Sequence, residues 1–93
     1  MELISWNIQW GRGADGKVDL ARIIDTLRGM ADVDVLCLQE ITRGFSDLAG
    51  HPGPDQVAEL SALLPDYQVI FAPGVDRTHR DGSPRQFGNV IAT

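Results

Sequence analysis

Apolar and polar residues alternate loosely near the amino terminus, where Leu3, Trp6 and Ile8 stand among polar neighbours. Period-two spacing with aromatic and β-branched residues predicts a strand over residues 2–8. Its last polar position is Asn7. A second run, Val33-Asp34-Val35-Leu36-Cys37-Leu38, is mostly apolar and stops abruptly at Gln39-Glu40. It predicts a buried strand over 33–39 that delivers an amide and a carboxylate to the edge of a sheet. Between the two runs, Leu20, Ile23, Ile24, Leu27 and Met30 recur at helical spacing and predict an amphipathic helix over 18–31. Asp19, Asp25, Arg22 and Arg28 then form its solvated side. Strand, helix and strand with a long crossover make a right-handed βαβ unit with parallel strands. Parallel strands point their carboxyl ends the same way, which is why Asn7 and Glu40 are expected to converge.

Beyond Glu40 the pattern breaks. Residues 42–55 contain Gly44, Gly50, Pro52, Gly53 and Pro54 and read as a long loop able to rim a site. Val57, Leu60, Leu63 and Leu64 predict a second helix over 55–64, stopped by Pro65. Residues 67–72 and 86–93 predict a third and fourth strand, paired as a hairpin across a polar connection over 73–84. About four strands and two helices give an α/β fold. Asn89-Val90-Ile91-Ala92-Thr93 reads as a strand in progress, so residues 1–93 are expected to be a domain cut in its middle.

Composition narrows the class. A chain of 93 residues makes at most one small domain. It buries only about 60–65% of its unfolded surface, which leaves a thin stability margin. No apolar run approaches a membrane span, and no basic segment followed by an apolar stretch opens the chain. Cys37 is the single cysteine and sits in a strand pattern, where it acts as a small hydrophobe. These features favour a reducing, cytoplasmic setting. The formal charge of −5 argues against a protein that coats nucleic acid. It leaves room for an enzyme that holds an anionic substrate through a divalent metal and a few local arginines.

Candidate chemistry is sparse. Gly11, Gly13 and Gly16 match the spacing of a dinucleotide fingerprint, but the last glycine precedes the helix instead of opening it against the strand. Arg12, Asp15 and Lys17 make that stretch an ordinary polar loop. His51 has no aspartate or metal ligand at a recognisable spacing. Arg77, His79, Arg80 and Arg85 cluster within nine positions. They form either a solvated loop or a surface that faces phosphate. Glu40 offers hard oxygen donors of the kind Mg²⁺ prefers, and Asn7 could orient that carboxylate or meet a phosphate oxygen. From the residues alone, ordinary polar strand termini explain the same two residues slightly better.

The order Ser5-Trp6-Asn7-Ile8, a glycine-containing loop, an amphipathic helix, and Asp34-Val35-Leu36-Cys37-Leu38-Gln39-Glu40 resembles the opening of the endonuclease/exonuclease/phosphatase superfamily, the deoxyribonuclease-I-like group. Phe87-Gly88-Asn89-Val90-Ile91-Ala92-Thr93 resembles that group's Gly-Asn-containing strand. The resemblance implies the amino-terminal part of a four-layered α/β sandwich. It implies hydrolysis of phosphate esters with Mg²⁺ or Mn²⁺, nucleic acid being favoured over lipid or inositol phosphate. Glu40 corresponds to the metal-binding glutamate, Asn7 to the asparagine at the metal and phosphate site, and Gln39 to a supporting neighbour. Gly88 and Asn89 correspond to structural positions. The family's catalytic histidines, water-activating aspartate and later Asp-His pair have no counterpart in residues 1–93. The chain alone is therefore expected to be inactive, and the exposed faces of a half-built sandwich to self-associate. The competing reading is a non-catalytic α/β binding or interaction module that retains the scaffold.

Overall fold

Leu36, Leu38 and Ile41 form the spine of the molecule, each essentially inaccessible to water. They lie on strand β2 (Val35–Arg43), an inner strand of the sheet. The computed structural model describes residues 1–30 and 32–93. Strand β1 (Leu3–Asn7) runs parallel to β2, and β4 (Pro84–Ala92) runs antiparallel along its other side. Strand β3 (Val69–Thr78) pairs with β4 at the far edge, so the order is β1-β2-β4-β3. The result is an α/β fold with four strands in one mixed sheet and two helices.

Helix α1 (Leu20–Met30) buries Leu20, Ile23, Ile24 and Leu27, the stripe that its spacing predicts. Met30 is 65% exposed, past the edge of that stripe. The helix begins later than residue 18, because Val18 bridges back to Arg12 and Asp19 accepts the Arg22 amide at 3.1 Å. The final predicted position, Ala31, lies outside the described residues. Helix α2 (Gln56–Leu63) starts under Asp55, whose side chain accepts the Ala58 amide at 3.0 Å. It ends before Pro65, which cannot continue a helix. Both helices lie on one face of the sheet, where Ile4, Leu36, Leu38, Val90 and Ala92 meet Leu27, Leu60 and Leu64. Each such large apolar side chain contributes about 1.5–3 kcal/mol on burial.

Three boundaries differ from the sequence pattern. β2 does not stop at Glu40 but continues to Arg43, so the long loop is shorter than 42–55. β3 runs through Pro73 and Gly74 to Thr78, and β4 begins at Pro84. The polar connection expected over 73–84 is thus mostly paired strand, with only 79–83 as its turn. Turn-forming residues misled the reading because Pro73 and Gly74 sit at a register shift on an edge strand, where both are tolerated.

Among the described residues, the other face of the sheet carries no helix. Leu3, Ile70 and Ile91 are 58%, 49% and 46% exposed on it, with Val35 and Cys37 between them. Among the described residues, no helix is long and apolar enough to cross a membrane.

Gly88 lies where β4 is squeezed between Ile41 and Pro73. A methyl group there would collide with the Ala72 carbonyl and the Pro73 backbone, whereas at Gly74 the nearest atom would be 3.7 Å away. Gly88→Ala should lower unfolding free energy by about 2 kcal/mol, and Gly74→Ala by less than about 0.5 kcal/mol. Urea denaturation of both variants measures the difference, and equal losses would contradict it.

Candidate functional site

The parallel register sets Asn7 directly opposite Gln39, with Glu40 as the next residue. Sequence reasoning expected two strand ends. The structure instead has one strand that ends at Asn7 and another that bulges beside it. Leu38 pairs with Val90 and Ile41 with Gly88, so Gln39 and Glu40 together face the single residue Asn89. Glu40 takes up the extra residue with φ of +61°, a left-handed conformation unusual for a side chain of this size. Such a bulge re-aims side chains and is common beside functional sites.

A polar row consequently crosses three strands: Asn7 on β1, Gln39 and Glu40 on β2, and Asn89 on β4. Asn7 and Asn89 are exposed, and Gln39 and Glu40 are half-buried. Gln39 donates to the Ser5 hydroxyl at 3.1 Å and to the Cys37 carbonyl at 3.0 Å, so its amide is held against the sheet. Asn7 Oδ1 accepts the Gln9 amide at 3.1 Å, which turns the chain out of β1. Among the described residues, the Glu40 carboxylate has no salt-bridge partner. Also among these residues, no three His, Cys, Asp or Glu side chains stand close enough to hold a metal ion. The chain therefore presents hard oxygen donors without a closed cage. Mg²⁺ accepts such an open set, since it keeps several waters and uses one or two carboxylates.

After Asn7 the chain makes a tight turn, Gln9–Gly11, with Gln9 and Trp10 both at positive φ. Residues 12–18 then close on themselves. Gly13 donates to the Lys17 carbonyl at 2.9 Å, and Arg22 reaches from α1 to Asp15 at 2.9 Å and to the Lys17 carbonyl at 3.1 Å. The glycine spacing thus serves a small hairpin tied to α1, in keeping with rejection of the dinucleotide fingerprint.

Neither imidazole joins the polar row through a hydrogen bond. His51 Nδ1 lies 3.2 Å from the Ser46 carbonyl, and His79 Nε2 lies 2.8 Å from the Gly44 carbonyl. Both bonds belong to the loop that follows β2. That loop is pinched at its base, where Gly44 donates to the Pro54 carbonyl at 2.8 Å and Arg43 Nε approaches Asp55 at 3.2 Å. Of the four clustered basic residues, Arg85 is engaged: it pairs with Asp47 at 3.3 Å and lies 4.2 Å from the centre of the Phe45 ring. Its guanidinium holds the Asp47 carboxyl below the usual range. Arg77 and Arg80 are exposed and, among the described residues, form no ion pair.

Of two further participants, Asn89 was read from sequence as a structural position only and Gln56 was not singled out. Asn89 belongs to the polar row, a placement visible only once the register is known. Gln56 is completely buried, although it is a glutamine. Its signal was available: Gln56 shares the helical phase of Leu60 and Leu64, and a polar residue on a buried stripe needs internal partners.

A mixed α/β sheet with a carboxylate and amides gathered beside the end of its parallel pair defines a class of scaffold, and one comparison gives it a family. Residues 4–93 match the Endonuclease/Exonuclease/phosphatase family, and the chain belongs to that family. Comparison with curated proteins and with solved structures gives no match.

The Arg22 guanidinium and the Lys17 backbone amide lower the Asp15 pKa from 3.8 to about 2. A depressed carboxyl contributes stability that is present above its ordinary value and lost as pH falls through the folded one. The contribution of this pair should therefore disappear between pH 3.8 and about 2. Carboxyl titration by NMR should place Asp15 near the lower figure. In Arg22→Ala it should move back toward 3.8. An unchanged midpoint in the variant would remove the ion pair as the cause.

Proposed function

We propose that the chain provides the metal corner of a divalent-metal-dependent phosphoesterase that cleaves phosphodiesters, with nucleic acid as the favoured substrate. The observation that carries this reading is the register that sets Asn7 against Gln39 and Glu40 at the bulge. Family membership supports an activity on phosphate esters. Glu40 and Asn7 would hold Mg²⁺ or Mn²⁺ through oxygen donors, as the chemistry of that donor set allows. When bound, the ion would neutralise charge on a phosphoryl oxygen and stabilise the leaving oxygen.

The chain's own residues have narrower tasks. Glu40 supplies the anionic ligand. Asn7 lies at the same corner, opposite Gln39 in the register, while its Oδ1 holds the turn at Gln9. Gln39, fastened to Ser5 and the Cys37 carbonyl, keeps β1 and β2 in register at the point where their polar ends meet. Arg77 and Arg80 are exposed on the β3–β4 hairpin, and guanidinium groups suit phosphate oxygens. A half-buried lone cysteine is compatible with a reducing, cytoplasmic setting.

A second reading, a non-catalytic binding module, is favoured by one observation. Both imidazoles are engaged with carbonyls of the loop after β2, which leaves no imidazole general base beside Glu40 among the hydrogen bonds of the described residues. On our reading the general base is not supplied by residues 1–93, and these residues alone have no turnover. The bare apolar face at Leu3, Ile70 and Ile91 supports their being one sheet of a two-sheet sandwich, and it supports self-association of the isolated chain.

Mn²⁺ added to the isotopically labelled chain should broaden the NMR signals of Asn7, Gln39 and Glu40 before any others. Glu40→Gln should weaken this effect by about 100-fold in metal concentration. Chelation with EDTA should restore the signals. Uniform broadening, or the same response in Glu40→Gln, would refute the metal corner. Sedimentation velocity should show self-association that rises with concentration and falls when Ile91→Lys places a charge on the bare face. A monodisperse monomer at all concentrations would contradict that part of the reading.

A further inference from the structure

Gln56 is the first residue of α2 and has no exposed surface. Its Oε1 accepts the Thr42 amide at 3.2 Å, and its Nε2 donates to the Trp10 carbonyl at 2.7 Å. The orientation of the carboxamide is determined by chemistry: a backbone N–H can only donate and a carbonyl can only accept. Thr42 is two residues past Glu40, and Trp10 is three residues past Asn7. Thr42 is itself fully buried.

The need for this side chain follows from the sheet. β1 leaves β2 after Ile8, whose amide donates to the Gln39 carbonyl at 3.2 Å. Beyond that point β2 has no parallel neighbour, so its backbone groups on that edge require other partners. The Thr42 amide finds one in Gln56. The same glutamine holds the Trp10 carbonyl, in a turn where Gln9 and Trp10 both adopt positive φ. An apolar residue at position 56 would fill the space but leave the buried Thr42 donor and the part-buried Trp10 acceptor without this partner.

We propose that Gln56 is a positioning residue that couples the segment after Asn7 to the segment after Glu40 and so sets the spacing of the two candidate ligands. This rests on the metal-corner reading for its functional meaning, while the coupling itself concerns the geometry of the chain. Gln56 acts through Asn7 and Glu40 and touches neither metal nor substrate.

The test uses residues 1–93 with Gln56→Met and Gln56→Glu. Amide hydrogen exchange is read by NMR, and Mn²⁺ is the metal probe. In Gln56→Met, the amides of Thr42, Gly11 and Arg12 should exchange about tenfold faster, while those of Leu36 and Val90 keep their rates. Gln56→Glu, as a carboxylate, keeps an acceptor for Thr42 and loses the donor to Trp10. It should therefore free Gly11 and Arg12 but leave Thr42 protected, a split that general loosening of the fold would not produce. It also decides the matter if the Met variant does not fold. Mn²⁺ affinity should fall by about tenfold in either variant. Equal acceleration of all amides, or unchanged exchange at Gly11 and Arg12, would overturn the coupling. Normal Mn²⁺ affinity in the Gln56 variants beside a loss in Glu40→Gln would overturn the positioning role. Absence of Mn²⁺ binding in the unsubstituted chain would instead sink the metal corner, with the exchange pattern still deciding the coupling.

Discussion

β2 can bury both Leu38 and Ile41 on one face only because Gln39 and Glu40 share a single partner on β4. In a regular strand, residues three apart point to opposite sides. The bulge restores the phase, and the extra residue it needs is Glu40. Core packing and the placement of a carboxylate are thus the same structural event. The helices, the hairpin and the turn after β1 are arranged around it: α2 packs beneath, β4 supplies Asn89 opposite, and the turn at Trp10 is held from the side.

This constraint also shows which features the sequence could reveal. Apolar periodicity located α1 and the core of every strand, because burial imposes a rhythm that survives without knowledge of partners. The parallel pairing of β1 and β2 followed from crossover length. Convergence of Asn7 with Gln39-Glu40 was legible for the same reason. The bulge was not, since Val33 to Glu40 reads as an unbroken run and register depends on β4, some fifty residues away. The hairpin was under-read because Pro73, Gly74 and Pro84 resemble turn formers wherever they stand; Pro73 and Gly74 are held on the edge strand β3, and Pro84 is the first residue of β4. Gln56 fell inside the predicted second helix and shares the phase of its buried stripe, but its partners, the Thr42 amide and the Trp10 carbonyl, are backbone groups that only the fold brings together.

Membership of the Endonuclease/Exonuclease/phosphatase family gives the polar row a context that physics alone left open. One face of the sheet is packed under helices, and the opposite face holds both the apolar patch and the amides of Asn7, Gln39 and Asn89. Apolar surface and candidate chemistry therefore share a face. A second layer placed there would cover Leu3, Ile70 and Ile91, and its rim would come to lie beside Glu40.

The loop after β2 has a property that concerns change over time. Its two ends are fastened together by the Gly44–Pro54 hydrogen bond and the Arg43–Asp55 pair, while Ser46 and Asp47 are open to solvent. A loop clasped at its neck can lengthen at its exposed crown with only a slow rise in closure entropy, and the strand below does not register the difference. The crown at Ser46 and Asp47 is therefore a place where the chain can gain or exchange residues at the expense of the Asp47–Arg85 pair and the His51–Ser46 bond, while the clasp at the neck keeps the change away from Glu40.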